Sequence, residues 1–117
     1  MKTSQPESGW TEQQFERRLA ARYSFGGVAE VTDADSGKHV VGVTRELGAH
    51  GCFVKTKNIL PVSTDVMMKI TYNNKTFAAL GRVVHLLDEE GMGVKFETIA
   101  PADRAILTEW LAQSAGL

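Results

Sequence analysis

The chain contains one cysteine, three prolines and no apolar run near the ~18 residues needed to cross a bilayer. A single thiol, Cys52, can form no intramolecular disulfide, and between Gly51 and Phe53 it reads as a small buried hydrophobe rather than a nucleophile. An excess of charge of one sign is also missing. The 13 Lys and Arg against 14 Asp and Glu leave a formal net charge of -1, which argues against a general nucleic-acid or anionic-membrane binder. We therefore expect no nucleic-acid partner and no membrane insertion, and any basic site must be local. Residues 1–9 are polar and carry no apolar run of secretory type, so the expected location is the cytoplasm.

A catalytic constellation is lacking too. His39, His50 and His85 are scattered without metal-ligand spacing, and His39 and His85 read as strand residues. Asp33, Asp35, Asp88, Glu89 and Glu90 occupy turn positions, where solvated carboxylates are expected far more often than general acids or bases. No phosphate loop of the G-x-x-x-x-G-K-[ST] type occurs. The expectation is a protein that is not an enzyme, with no cofactor and no metal.

What is present is one domain's worth of chain. At 117 residues and 43% hydrophobic content the sequence can fill one core. Residues 1–9 read as a flexible tail and 10–117 as a single domain. Thr11 and Gln14 form a capping-box pattern ahead of Phe15 and Leu19, which predicts a short helix ending before Tyr23. Residues 10–24 are thus an N-terminal arm. Val28–Thr32 and Lys38–Arg45 read as strands joined through the turn formers 33–37, and Cys52–Lys55 as a short third strand. Val66, Met68, Ile70 and Tyr72 alternate with Met67, Lys69 and Thr71, Asn73-Asn74 turns the chain, and Phe77, Ala79, Gly81 and Val83 share a face. Met92, Val94 and Phe96 alternate in a sixth strand. Pro101 and Asp103 then open a helix over 101–115, with Ile106, Leu107, Trp110 and Leu111 as its apolar stripe. The fold class is mainly β: a small six-stranded antiparallel β-barrel over 25–98 with a C-terminal α-helix and a short N-terminal helix or arm.

The basic residues concentrate in one place. Arg17, Arg18 and Arg22 lie within six residues, just ahead of the first strand. Guanidinium is permanently charged, presents a planar fork that matches phosphate, and stacks on flat rings, so the cluster points to a phosphorylated aromatic ligand. Arg18 and Arg22 form R-x-x-x-R; Glu46-Leu47-Gly48-Ala49-His50-Gly51 occupies the turn between the second and third strands; Gly91-Met92-Gly93-Val94-Lys95-Phe96 precedes Pro101-Ala102-Asp103-Arg104. In these three places the chain resembles the PilZ family of bacterial cyclic di-GMP receptors, from about residue 16 to the C-terminus. The family pattern is R-x-x-x-R, then [DN]-x-S-x-x-G, then a G-[MI]-G-V-x-F strand leading into a helix. Of these the last supports the fold rather than the ligand.

The resemblance implies that Arg18 and Arg22 grip the phosphates and guanine bases of cyclic di-GMP, and that Glu46 reads the guanine edge. Arg17 could add a third cation or serve only as a rim charge. The second motif is degenerate: Glu46 stands where Asp or Asn is usual, and Gly48 where Ser is usual. The lost hydroxyl at 48 corresponds to ~1.5–3 kcal/mol for a hydrogen bond to a charged group. The Gly48 backbone N–H or the His50 ring are the candidates to compensate, and Gly51 supplies the glycine that a tight turn requires where φ is positive. The implied function is a receptor or adaptor module that switches an unidentified protein effector, as a monomer or weak dimer. The alternative is a PilZ-like domain with weak or no cyclic di-GMP binding that acts as a protein interaction module in motility, pilus or exopolysaccharide machinery. A small RNA-binding barrel is disfavoured, because Tyr72, Phe77 and Phe96 read as core rather than as a stacking surface.

Overall fold

The computed structural model describes residues 22–116. Seven strands precede one helix: β1 (Arg22–Ser24), β2 (Val28–Asp33), β3 (His39–Gly48), β4 (Gly51–Lys55), β5 (Asp65–Tyr72), β6 (Lys75–Leu87), β7 (Gly91–Thr98) and α1 (Pro101–Ser114). All pairings are antiparallel, and they close in the order β3-β2-β5-β6-β7-β4 with β4 returning to β3. This is the six-stranded barrel expected from the alternation. Closure leaves no free edge among those six strands, and β1 adds to β3 beside β2.

Local chemistry explains the turns. The Asp33 carboxylate accepts the backbone N–H groups of Asp35 at 2.8 Å and Ser36 at 3.3 Å, which fixes the β2–β3 connection. Those two bonds hold the Asp33 carboxyl below its usual value of 3.8. Asn73 and Asn74 both take positive φ, 50° and 63°, in the β5–β6 hairpin, a conformation Asn tolerates better than most residues.

The barrel interior is filled by the residues that alternate on β2, β5, β6 and β7, among them Val31, Met68, Ile70, Phe77, Val83 and Met92. The helix packs its stripe on this core, with Leu107 and Trp110 buried. Trp110 sits 5.2 Å from the Phe25 ring, 5.9 Å from Tyr72 and 6.3 Å from Phe77. Two polar contacts fix its direction: the Asp103 carboxylate accepts the Ala78 N–H at 2.9 Å, and Lys75 pairs with Glu109 at 2.8 Å.

Three sequence expectations need correction or limitation. The helix proposed for 11–22 falls almost wholly outside the described residues, but its last member, Arg22, lies in a strand: β1 pairs Arg22 with Gly48, Tyr23 with Leu47 and Ser24 with Glu46. The turn proposed for 46–51 shrinks to Ala49-His50, because β3 is held on one edge by β1 as far as Gly48 and on the other by β4 as far as Leu47. Tyr72, read as core, is half-buried at the rim beside Phe25 at 4.5 Å.

Candidate functional site

A β-bulge on β3 organises the region where Arg22 meets the Glu46–Gly51 segment. The β3–β4 register shifts between Thr44 and Glu46, so Arg45 is the extra residue and Glu46 faces Phe53. From there outward-facing positions line up across four strands: Ser24, Glu46, Phe53 and Gly93 in one row, then Arg22, Gly48, Gly51 and Lys95 in the next. The inward alternates, Leu47, Cys52 and Val94, are fully buried and make the floor rigid.

Arg22, Glu46, Gly48, His50 and Gly51 are therefore neighbours. Arg22 is exposed on β1, and its Nη2 lies 3.4 Å from the point a β-carbon on Gly51 would occupy. Glu46 is exposed on the same face and Gly48 is buried between them. His50 is exposed at the tip of the turn, where its carbonyl accepts the Phe96 N–H at 2.8 Å. Arg17 and Arg18 lie outside the described residues.

The requirement at Gly51 differs from the sequence expectation. Its φ is not positive. A β-carbon there would stand 2.5 Å from the Val94 carbonyl oxygen, so glycine is needed for the close approach of β4 to β7.

The neighbouring outward row is capped by aromatic contacts. The Arg45 guanidinium lies 4.4 Å over the Phe53 ring and pairs with Glu90 at 3.1 Å, while the His85 ring stacks beside Phe53 at 6.1 Å. His85 also packs directly on the Gly93 backbone, which leaves no room for a β-carbon there. Phe53 is buried by this cover although it points away from the barrel interior. Sequence reasoning missed Arg45, His85 and Arg104 as neighbours of the site. Arg104, on the first turn of α1, donates from Nη1 to the Ala49 carbonyl at 3.3 Å and so ties the helix to the turn. Cross-strand register and the bulge reveal Arg45 and His85, and the docking of α1 reveals Arg104.

The Cys52 thiol faces inward beneath this surface. Burial pushes it up to about 12, while the Arg22 charge acts in the opposite direction. At that value it is protonated and inert near neutral pH. Among the described residues no group of His, Cys, Asp and Glu is arranged to hold a metal ion, and no helix is long and apolar enough to cross a membrane.

The geometry can hold an anion with a flat ring: a charged fork beside Gly51, a carboxylate one row away, and a rigid floor. Comparison with known proteins places the chain. The PilZ domain of CeSA from a cellulose-synthesizing bacterium superposes with a TM-score of 0.62 at 19% identity, covering 83% of this chain and 97% of that one. The PilZ domain of YcgR from Escherichia coli, solved with c-di-GMP, gives 0.65 at 12% identity, covering 86% and 92%. MotI/DgrA of Bacillus subtilis, an inhibitor of motility, gives 0.69 at 13% identity, and this chain spans 83% of itself but half of that protein. Among curated proteins none matches by sequence. The family model for the PilZ domain matches residues 16–113, nearly the whole length, and on that match the chain belongs to the PilZ domain family.

Proposed function

We propose that the protein is a cyclic di-GMP receptor whose site lies on the outer face of β1, β3 and β4. The observation that carries this reading is the pairing of β1 with the end of β3, which sets Arg22 beside Glu46 and Gly48 and lays its guanidinium over Gly51. Arg22, the last residue of the first motif, thereby shares a face with Glu46, Gly48 and Gly51 of the second. The YcgR domain solved with c-di-GMP and the Borreliella burgdorferi PlzA protein in complex with c-di-GMP share the fold, which supports the ligand class.

The chemistry follows from the donor set. Guanine offers O6 and N7 as paired acceptors to an arginine fork, and phosphate oxygens take charge-assisted bonds. Arg22 serves one of these, and Arg18, four residues earlier, serves the other, with Arg17 as a third cation. The Glu46 carboxylate accepts from guanine N1–H and N2–H. Ligand contacts that bridge the arm and the barrel favour the docked arm, and that differential free energy is what switches a protein effector.

A second reading is favoured by Glu46 and Gly48: a domain that has lost appreciable binding and acts through protein contacts alone. Relative to Asp and Ser, the pair lengthens one acceptor and deletes one hydroxyl. Titration calorimetry separates the two readings. Saturable heat with cyclic di-GMP, abolished in Arg22→Ala, supports the receptor; absence of heat at about 100 µM ligand, enough to half-fill a site of about -5.5 kcal/mol, supports the second.

A further inference from the structure

The strand Gly91–Thr98 supplies the barrel with Met92, Val94 and Phe96, and its outward residues have no such role. Among these, Lys95 stands directly across β4–β7 from Gly51. Its Cα is 3.3 Å from the point a β-carbon on Gly51 would occupy, and Arg22 Nη2 is 3.4 Å from the same point. With no side chain at Gly51, the surface there is bare backbone, with the Arg22 head on one side and the base of Lys95 on the other.

Several cations on the barrel surface are already paired. Arg45, Lys75 and Arg82 each pair with a carboxylate, Glu90, Glu109 and Asp65 respectively. Lys95 is exposed and makes no ion pair among the described residues. Its cross-strand neighbours are Gly51 on one side and Arg82 on the other. The acid two residues along its own strand, Glu97, approaches Arg82 instead, at 3.9 Å. Arg22 and Lys95 thus bring like charges to the same patch of backbone, and an anion bound there would relieve their repulsion.

We propose that Lys95 is a further ligand-binding residue, contacting a phosphate oxygen of the nucleotide from the side opposite Arg22; this rests on the cyclic di-GMP reading above. An ammonium on a flexible stem is a point charge with three donors, suited to phosphate and without the fork that reads a guanine edge. Lys95 thus neutralises phosphate and leaves the Arg22 fork available for the base. It also makes up for part of the hydrogen bonding that Gly48 no longer provides.

The test compares wild type with Lys95→Ala, Lys95→Glu and Arg22→Ala by calorimetry with cyclic di-GMP. Because Lys95 is exposed, all variants are expected to keep the wild-type melting temperature. Lys95→Ala is expected to bind about tenfold more weakly and Lys95→Glu more weakly still. Binding by both Lys95 variants within about twofold of wild type overturns the assignment. If wild type itself gives no heat with cyclic di-GMP, the receptor reading fails and a second probe decides the residue. Inorganic pyrophosphate at millimolar concentration is then added to isotope-labelled protein. Amide shifts at Gly51 and Lys95 that vanish in Lys95→Glu support an anion site between Arg22 and Lys95, and their absence in wild type overturns it.

Discussion

Replacing Gly51 by alanine tests the physical basis of the site floor. The added β-carbon would lie 2.5 Å from the Val94 carbonyl oxygen, 3.3 Å from Lys95 Cα and 3.4 Å from Arg22 Nη2. The first contact is with backbone, which cannot rotate away as a side chain can. Strands β4 and β7 must separate or twist, and over-packing of this kind costs ~1–3 kcal/mol. Alanine also restricts the unfolded chain, which offsets the loss by ~0.4–1 kcal/mol. A net destabilisation of roughly 1–2 kcal/mol corresponds to a fall in melting temperature of roughly 4–12 °C for a domain of this size. Differential scanning calorimetry of Gly51→Ala against Gly26→Ala measures it, since Gly26 has nothing within 4 Å of its own β-carbon position and no positive φ. Gly26→Ala is expected to melt with wild type or slightly above it. Should the two variants melt together, the close approach of β4 to β7 is not what requires glycine at 51.

Four further outcomes are expected. Thr44 is fully buried with its hydroxyl unpartnered among the described residues, so Thr44→Val is expected to raise the melting temperature, with about 1 kcal/mol gained in chemical denaturation. Trp110→Ala removes the ring that joins α1 to Phe25, Tyr72 and Phe77, and a loss of ~3–5 kcal/mol should leave much of the population unfolded at 37 °C by circular dichroism. The double substitution Glu46→Asp with Gly48→Ser restores the family's usual residues and is expected to tighten cyclic di-GMP binding about tenfold by calorimetry. Asp33 has its carboxyl lowered in the folded state, so its contribution is present above 3.8 and is lost as pH falls through the lower folded value; Asp33→Asn should flatten the acid limb of a melting-temperature profile over that range.

The sequence carried the barrel where one face of a strand is buried and the other is wet. On β5 the buried residues Val66, Met68 and Ile70 alternate with exposed Asp65, Met67, Lys69 and Thr71, and period-two patterning marks such a strand. On β4 the pattern is lost: Cys52 and Val54 face the core, yet Phe53 is buried as well, under Arg45 and beside His85. Cover from outside the barrel erases alternation. β1 was illegible for another reason, since three residues with exposed Arg22 and Ser24 have no apolar face and owe their conformation to pairing with β3. The site divides in the same way. Motif order along the chain linked Arg22 to Glu46 and Gly51. Only cross-strand register set Lys95 opposite Gly51, and only a helix docked on the barrel brought Arg104 to Ala49.

Burial also settles Cys52. With its thiol pushed up to about 12, native protein should resist alkylation near neutral pH, and denatured protein should react at once. This separates it from any role in ligand chemistry, although it lies one residue from Gly51.

The central claim is that Arg22, held on β1, and the Glu46–Gly51 segment of β3 and β4 close on one guanine dinucleotide. A crystal structure at saturating cyclic di-GMP tests it most directly. The account expects ligand density over Gly48 and Gly51, with Arg22 and Lys95 on opposite sides of a phosphate and the Glu46 carboxylate at a guanine edge. Ligand bound elsewhere on the barrel, or an empty surface at Gly48 and Gly51 under saturating ligand, contradicts it.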